Sequence, residues 1–186
     1  KTEEEEIQTI IPKKFLTYLS THTTDNEIKL FFEKTQLKAK TDEDTITTRT
    51  ISESFPNYES VIPTNNDKSF TLKKNDLLGA IRRVSIFSNK ATHQVALSLN
   101  EGGCKITTED PEKSSKAQES IIGQYEGESV IVGYNAEYLK DIVSHVQGNV
   151  VEVNLSTPVS AALFNAGSQN DQSDSLMLLM PIRLND

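Results

Sequence analysis

The stretch Asn135-Ala-Glu-Tyr-Leu-Lys-Asp-Ile-Val-Ser-His-Val-Gln-Gly148 shows how the chain is built. Asn135 is a good N-cap, because its side-chain oxygen can accept from the first unpaired amides of a helix. Tyr138, Leu139, Ile142, Val143 and Val146 recur at helical spacing on one face, and Gly148 supplies a stop. The same apolar spacing occurs twice upstream. Pro12-Lys-Lys-Phe-Leu-Thr-Tyr-Leu19 places Phe15, Leu16 and Leu19 on one face, with Pro12 near the first helical position, where its missing N–H costs little. A further helix begins near Asn75, with Leu77, Leu78, Ile81 and Val84 on its stripe. Leu77 stands 62 positions after Phe15, and Tyr138 stands 61 after Leu77. A constant period of this length marks an internal repeat.

Each helix follows a short apolar strand and precedes strand-like runs. These are 27–32, 36–41 and 45–51 after the first helix, the last two joined by the acidic turn Asp42 to Asp44. After the second come 93–99, 104–108 beyond the hairpin turn at Gly102-Gly103, and 119–125. After the third come 150–155, 159–165 and 176–184. The unit is strand, helix, three strands. An antiparallel sheet with one polar face takes helices on its other face, which gives an α+β fold. One helix cannot cover four strands, so two units side by side, their helices adjacent over a joined sheet, make the natural domain. Three units are present. The expected division is therefore an orphan unit over 1–54, a linker over 55–67 containing Phe55-Pro-Asn-Tyr-Glu-Ser-Val-Ile-Pro63, and a complete pair over 68–186. The chain starts at Lys1 rather than Met, which reads as a chain cut on its N-terminal side.

The 186 residues are 35% hydrophobic and carry a formal net charge of −8, which at face value argues against a nucleic-acid partner. Cys104 is the single cysteine, so a disulfide framework and a multi-cysteine zinc site are excluded, and a reducing, cytoplasmic setting is expected. No apolar run approaches a membrane span, and the start lacks a basic-then-apolar signal pattern.

Nothing in the sequence points to catalysis, a metal or a cofactor. His22, His93 and His145 fall in three different units without ligand spacing, and no phosphate loop, nucleophile elbow or dinucleotide glycine pattern occurs. Carboxylates sit in turns and tails: Glu3 to Glu6, Asp42 to Asp44, Glu109, Asp110, Glu112, Asp171 and Asp174. The polar stretch 168–175 reads as a mobile hairpin connection. Base recurs on helices: Lys13 and Lys14 on the first, Lys73, Lys74, Arg82 and Arg83 on or before the second, Lys140 and His145 on the third. Taken alone these residues read as an ordinary solvated face; with acid gathered in the strand connections, the division also lets an acidic protein present a positive surface. The C-terminal run Leu176-Met-Leu-Leu-Met-Pro-Ile-Arg-Leu184 is apolar on both faces and broken by Pro181. One reading is a strand buried on both sides; the other is an edge groove that docks a short peptide, which flexible Met and a strand-breaking Pro suit.

Phe55-Pro-Asn-Tyr58 followed by Val61-Ile-Pro63, then Ser88-Asn89, the Asn135-x-x-Tyr138-Leu139 helix start and the ending Met180-Pro-Ile-Arg-Leu184 closely resemble the bacterial DNA polymerase III beta subunit family, the sliding clamps, from about Ile7 to Leu184. The resemblance implies a DNA clamp fold of βαβββ units. Two units make a domain, three domains make a subunit, and two subunits close head to tail into a ring around duplex DNA. This chain then matches the second half of the middle domain and the whole C-terminal domain. It implies a non-catalytic processivity factor, nucleoid-associated in the cytoplasm. The helices would line the hole, with Lys13, Lys14, Lys73, Lys74, Arg82, Arg83 and Lys140 facing DNA.

The resemblance also implies a hydrophobic pocket for a Gln-Leu-x-Leu-Phe-like motif from the DNA polymerase III alpha subunit, the clamp loader, other polymerases and repair proteins. Residue by residue it maps to Pro56, Val61, Asn135, Tyr138, Val159, Ala161, Leu178, Leu179, Met180, Pro181, Ile182, Arg183 and Leu184. Thr92 stands where the family often has an aromatic residue, and Asn185 and Asp186 extend past the usual Arg-Leu end. The family's Gly-His-Arg-Leu stretch, another wall of the pocket, lies ahead of the residues present here, so weak peptide binding is expected. A repeat-built β-rich adaptor that binds proteins and never meets DNA is the alternative from another class.

Overall fold

In the C-terminal part of the chain, the residue just ahead of each helix pairs with the first residue of a strand from the other repeat: Lys73 lies opposite Val150, and Asn135 opposite Gln94. The computed structural model describes residues 7–23, 27–42, 44–167 and 175–184, and divides into two units, Lys1–Asn57 and Tyr58–Asp186. The acidic run at 3–6, the connection at 168–174 and residues 185 and 186 lie outside the described residues.

The N-terminal unit holds α1 (Lys13–His22) and an antiparallel sheet of β1 (Lys29–Phe32), β2 (Gln36–Lys40) and β3 (Thr45–Arg49) in the order β1-β2-β3. The acidic turn forms as expected, closed by Thr41 N–H donating to the Asp44 carbonyl at 2.9 Å. Phe15 and Leu19 on α1 bury against Leu37 and Ala39 on β2, with Ile11, Ile28 and Ile46 packed around them. Two expectations change here. Among the described residues no strand precedes α1 beyond a single bridge, Ile10 with Ile51. Leu16, expected on the buried stripe, is 50% exposed, and Leu30, Phe31 and Phe32 on β1 are exposed as well.

The C-terminal unit begins with a turn of 3-10 helix, Tyr58–Val61, and continues through β4 (Lys68–Lys73), α2 (Lys74–Ser85), β5 (Gln94–Asn100), β6 (Gly103–Asp110), β7 (Ser115–Ile121), β8 (Gln124–Glu126), β9 (Val130–Asn135), α3 (Ala136–His145), β10 (Val150–Leu155), β11 (Ala162–Ala166) and β12 (Met177–Leu179). The sheet is not the simple joined one expected. Two antiparallel sheets form, in the orders β12-β11-β10-β4-β8 and β7-β6-β5-β9. Each repeat sends its first strand into the other repeat's sheet: β4 joins β10, and β9 joins β5. The exchange ties the repeats together by main-chain bonds and extends into the helices. Lys74 N–H donates to the Asn149 carbonyl, and Ala136 N–H donates to the His93 carbonyl, each at 2.8 Å. Helices α2 and α3 pack on one another, and one core runs through Leu77, Ile81, Val84, Leu139 and Val143 to Val95, Leu97, Val151 and Val153 of the two sheets. Each such side chain contributes ~1.5–3 kcal/mol by leaving water.

The run expected as one strand over 119–125 divides between the sheets. β7 ends at Ile121, and β8 starts at Gln124 beside β4. Gly123 makes the crossing possible, since a Cβ there would stand 2.5 Å from Phe70 Cε2 and 2.9 Å from the Thr71 carbonyl oxygen. The expected strand over 159–165 starts only at Ala162, and Val159 lies in the preceding turn. The expected strand over 176–184 is also cut short. β12 pairs with β11 over Met177–Leu179, Pro181 has no N–H to continue the ladder, and the chain then crosses to bridge Ile182 with Gly133.

Candidate functional site: an apolar edge beside the start of helix α3

Asn135 organises the site. Its Oδ1 accepts from the Glu137 and Tyr138 amides at 2.9 and 3.3 Å, and its Nδ2 donates to the Thr92 carbonyl at 3.2 Å. One side chain therefore caps α3 and fastens the loop carrying Thr92. That loop is shaped by the Ser88-Asn89 pair: Ser88 Oγ donates to the Ser85 carbonyl at 2.7 Å, and Asn89 Oδ1 accepts from the Ala91 and Thr92 amides. Asn89 Nδ2 donates to the buried Asp110 carboxylate at 3.2 Å.

The C-terminal segment forms the second wall. Leu179 and Leu178 pair with Ala162 and Leu163 on β11, α3 packs against β12, and Ile182 N–H donates to the Gly133 carbonyl at 2.8 Å. Gly133 was not singled out from the sequence. Its signal is a residue without a side chain in the apolar run Val130–Tyr134. A Cβ there would meet Leu184 Cδ2 at 2.6 Å and the Ile182 carbonyl oxygen at 2.8 Å. Ala161 and Leu179 are buried, Leu178, Pro181, Ile182 and Leu184 half-buried, and Arg183 exposed. Tyr138 is 65% exposed, which corrects its expected place on the buried stripe of α3; Val159 and Met180 are exposed to a similar degree. Val159 rides on a turn held by Ser160 N–H donating to Thr157 Oγ1. Val61 is exposed at the end of the 3-10 turn, and Pro56 belongs to the N-terminal unit.

The expected basic residues fall into two groups. Lys74 Nζ donates to the carbonyls of Ser144 and Val146, Arg83 forms a two-point pair with Glu119 on β7, and Lys140 pairs with Glu137. The Arg83 guanidinium holds the Glu119 carboxyl below the usual glutamate range, and Lys140 does the same to Glu137. By contrast, Lys13, Lys14, Lys73 and Arg82 are exposed, with no ion pair among the described residues. The expected division of base onto helices and acid into connections is incomplete: α3 exposes Glu137 and Asp141, whereas Lys29, Lys40 and Arg49 are exposed on the N-terminal sheet. Burial pushes the Cys104 thiol up to about 12, so it stays protonated and unreactive. Among the described residues no group of His, Cys, Asp and Glu is placed to hold a metal, and no helix is long and apolar enough to cross a membrane.

The family model for the DNA polymerase III beta subunit, C-terminal domain, matches residues 59–183. The chain belongs to the DNA polymerase III beta subunit family. Among family members, the beta sliding clamp of Pseudomonas putida is 32% identical over 184 residues, covering 98% of this chain and 49% of that protein. A crystal structure of the DNA polymerase III subunit beta from Pseudomonas aeruginosa superposes with a TM-score of 0.86 at 30% identity, covering 96% of this chain and 48% of that one. The sliding clamp from Bartonella birtlesii, solved bound to griselimycin, gives a TM-score of 0.83 at 28% identity over 95% of this chain and 47% of that one. The chain spans about half the length of the curated relatives it matches. The α+β architecture of repeated strand–helix–strand units is that of the family's solved members.

Proposed function

We propose that the chain is the working half of a sliding clamp: the second half of a middle domain over 1–54, a linker over 55–67 and a complete C-terminal domain over 68–186. In the full-length parent, two such subunits form a ring that encircles duplex DNA and tethers the replicative polymerase, the clamp loader, other polymerases and repair proteins. The observation that carries this reading is the apolar edge beside α3. Beside a capped helix start, a strand edge ending at Pro181 and a tail held on Gly133, Tyr138, Val159 and Met180 are exposed while Leu179 and Ala161 are buried. Exposed apolar side chains on a firm frame suit the leucines and aromatic of a short extended peptide.

DNA is held by attraction without register. Of the expected DNA-facing residues, Lys13, Lys14, Lys73 and Arg82 are the ones without an ion pair among the described residues and so available for phosphate contact, and a sparse set gives sequence-independent binding that does not fix a position. Lys74, Arg83 and Lys140 have partners within the protein and contribute less. In the full-length parent, Lys73→Glu with Arg82→Glu is expected to lower retention on nicked circular DNA after loading, while peptide binding is unchanged. Indifference of DNA retention to both changes would favour an adaptor that never meets DNA.

A further inference from the structure

We propose that Asp110 is a positioning residue for peptide docking: its buried carboxylate fixes the orientation of the Asn89 amide and, through the turn at 89–93, that of the Asn135 amide, which holds the start of α3 and Tyr138 in place. The proposal rests on the reading of the apolar edge beside α3 as the docking site. Asp110 ends β6 and is 1% exposed. Its Oδ1 accepts from Asn89 Nδ2 at 3.2 Å. Its Oδ2 makes no hydrogen bond among the described residues and has the Lys113 ammonium 3.6 Å away, on a side chain that is 56% exposed. A buried carboxylate so thinly partnered is costly to keep, and more costly if the Asn89 donor turns away.

The polarity passes along the chain of bonds in one direction. An ionised carboxylate accepts and does not donate, so Asn89 must turn its NH2 toward Asp110 and its oxygen the other way. That oxygen accepts from the Ala91 and Thr92 amides at 2.9 and 3.3 Å, and His93 N–H donates to the Asn89 carbonyl at 2.8 Å, which closes a turn with His93 at a φ of 49°. The closed turn presents two carbonyls to α3. That of Thr92 accepts from Asn135 Nδ2 at 3.2 Å, and that of His93 accepts from Ala136 N–H at 2.8 Å. With its NH2 engaged by Thr92, Asn135 must offer its oxygen to the helix, where the Glu137 and Tyr138 amides donate to it. Two asparagines in series thus carry the demand of one carboxylate from the end of β6 to the amide of Tyr138. The other repeat shows that the fold does not need this relay. Lys74 N–H donates to the Asn149 carbonyl just as Ala136 does to that of His93, yet no side chain caps the start of α2. The main-chain clasp is common to both repeats, whereas the asparagine cap stands at α3, beside the apolar edge.

The test titrates the 186-residue chain with a fluorescent peptide containing Gln-Leu-x-Leu-Phe and follows amide exchange in parallel. Asp110→Leu, which keeps the size and removes the acceptor, is expected to weaken peptide binding about tenfold and to speed exchange at the Thr92 and Tyr138 amides, while β10 and β11 keep their protection. Asp110→Asn restores an acceptor for Asn89 and should hold the affinity within about twofold of the unchanged chain. Added to Asn135→Ala, Asp110→Leu should cause no further loss of affinity, because both act on one relay; independent destabilisation would add. Should Asp110→Leu fail to fold, Asn89→Ala on the half-exposed turn breaks the same relay and carries the test. Unchanged affinity in a folded Asp110→Leu, an Asp110→Asn that loses as much, or additive losses in the double variant overturns the proposal. Absence of peptide binding by the unchanged chain, or binding that survives Met180→Asp, overturns the docking reading instead, and exchange at Thr92 and Tyr138 then decides the relay by itself.

Discussion

The Lys74 ammonium at the start of α2 donates to the main-chain carbonyls of Ser144 and Val146, at 2.8 and 2.5 Å, where α3 ends. A cation placed there satisfies terminal carbonyls and opposes the negative end of the helix dipole, so it holds the two helices in place. Lys74→Met is expected to destabilise the C-terminal unit by about 1–2 kcal/mol in a denaturant titration. Lys73→Met, one residue away and exposed, should leave the midpoint within about 0.5 kcal/mol.

The pairing of Arg83 with Glu119 sets an acid dependence. Glu119 has a folded pKa below its unfolded value. Its contribution is complete above the ordinary glutamate pKa and is lost as pH falls through the lower folded value. Arg83 is largely exposed, so the effect is small and shrinks with salt. Melting temperature measured against pH should fall less steeply on the acid side in Glu119→Gln. The same change releases Arg83, and the full-length clamp should then show a DNA salt slope steeper by about one unit.

Gly123 tests the strand crossing. A Cβ at this position meets Phe70 and the Thr71 carbonyl well inside contact distance. Gly123→Ala is expected to cost about 1–3 kcal/mol, as overpacking does in a core that cannot give way. Equilibrium unfolding measures it, and Gly102→Ala, in the exposed hairpin turn, is the milder comparison.

Asn135→Ala removes one cap and the bond to Thr92 together. Loss of about 1 kcal/mol of stability is expected from the cap alone. The loosened Thr92 loop should show faster amide exchange from Ser88 to His93, while β10 and β11 keep their protection.

Much of this fold can be read in the repeated apolar spacing of Phe15, Leu77 and Tyr138, because helix periodicity is local and survives without knowledge of partners. The exchange of β4 and β9 cannot be read there. Pairing across 31–41 residues in one case and 77–87 in the other leaves no trace in the local pattern, and a strand buried by its own sheet looks the same as one buried by another. Tyr138 illustrates the limit at the site: its spacing matches the core stripe, yet the stripe is narrower than the spacing suggests, and the ring faces solvent. Asn135 and the Met180–Leu184 ending were legible because capping and strand breaking are short-range chemistry. The partners of Lys74 and Arg83 were not, since a lysine or arginine on a helix reads identically whether it meets a carbonyl, a glutamate or a phosphate.

The peptide-docking reading is tested most directly by titrating this chain with a fluorescent peptide containing Gln-Leu-x-Leu-Phe. Weak, saturable binding is expected, abolished by Met180→Asp and reduced by Gly133→Ala, which displaces Leu184 and Ile182 from their seat. Gly123→Ala should leave the affinity unchanged at a temperature where the chain is folded. No binding at any accessible concentration, or binding that survives Met180→Asp, would contradict the assignment of the apolar edge beside α3 as the docking site.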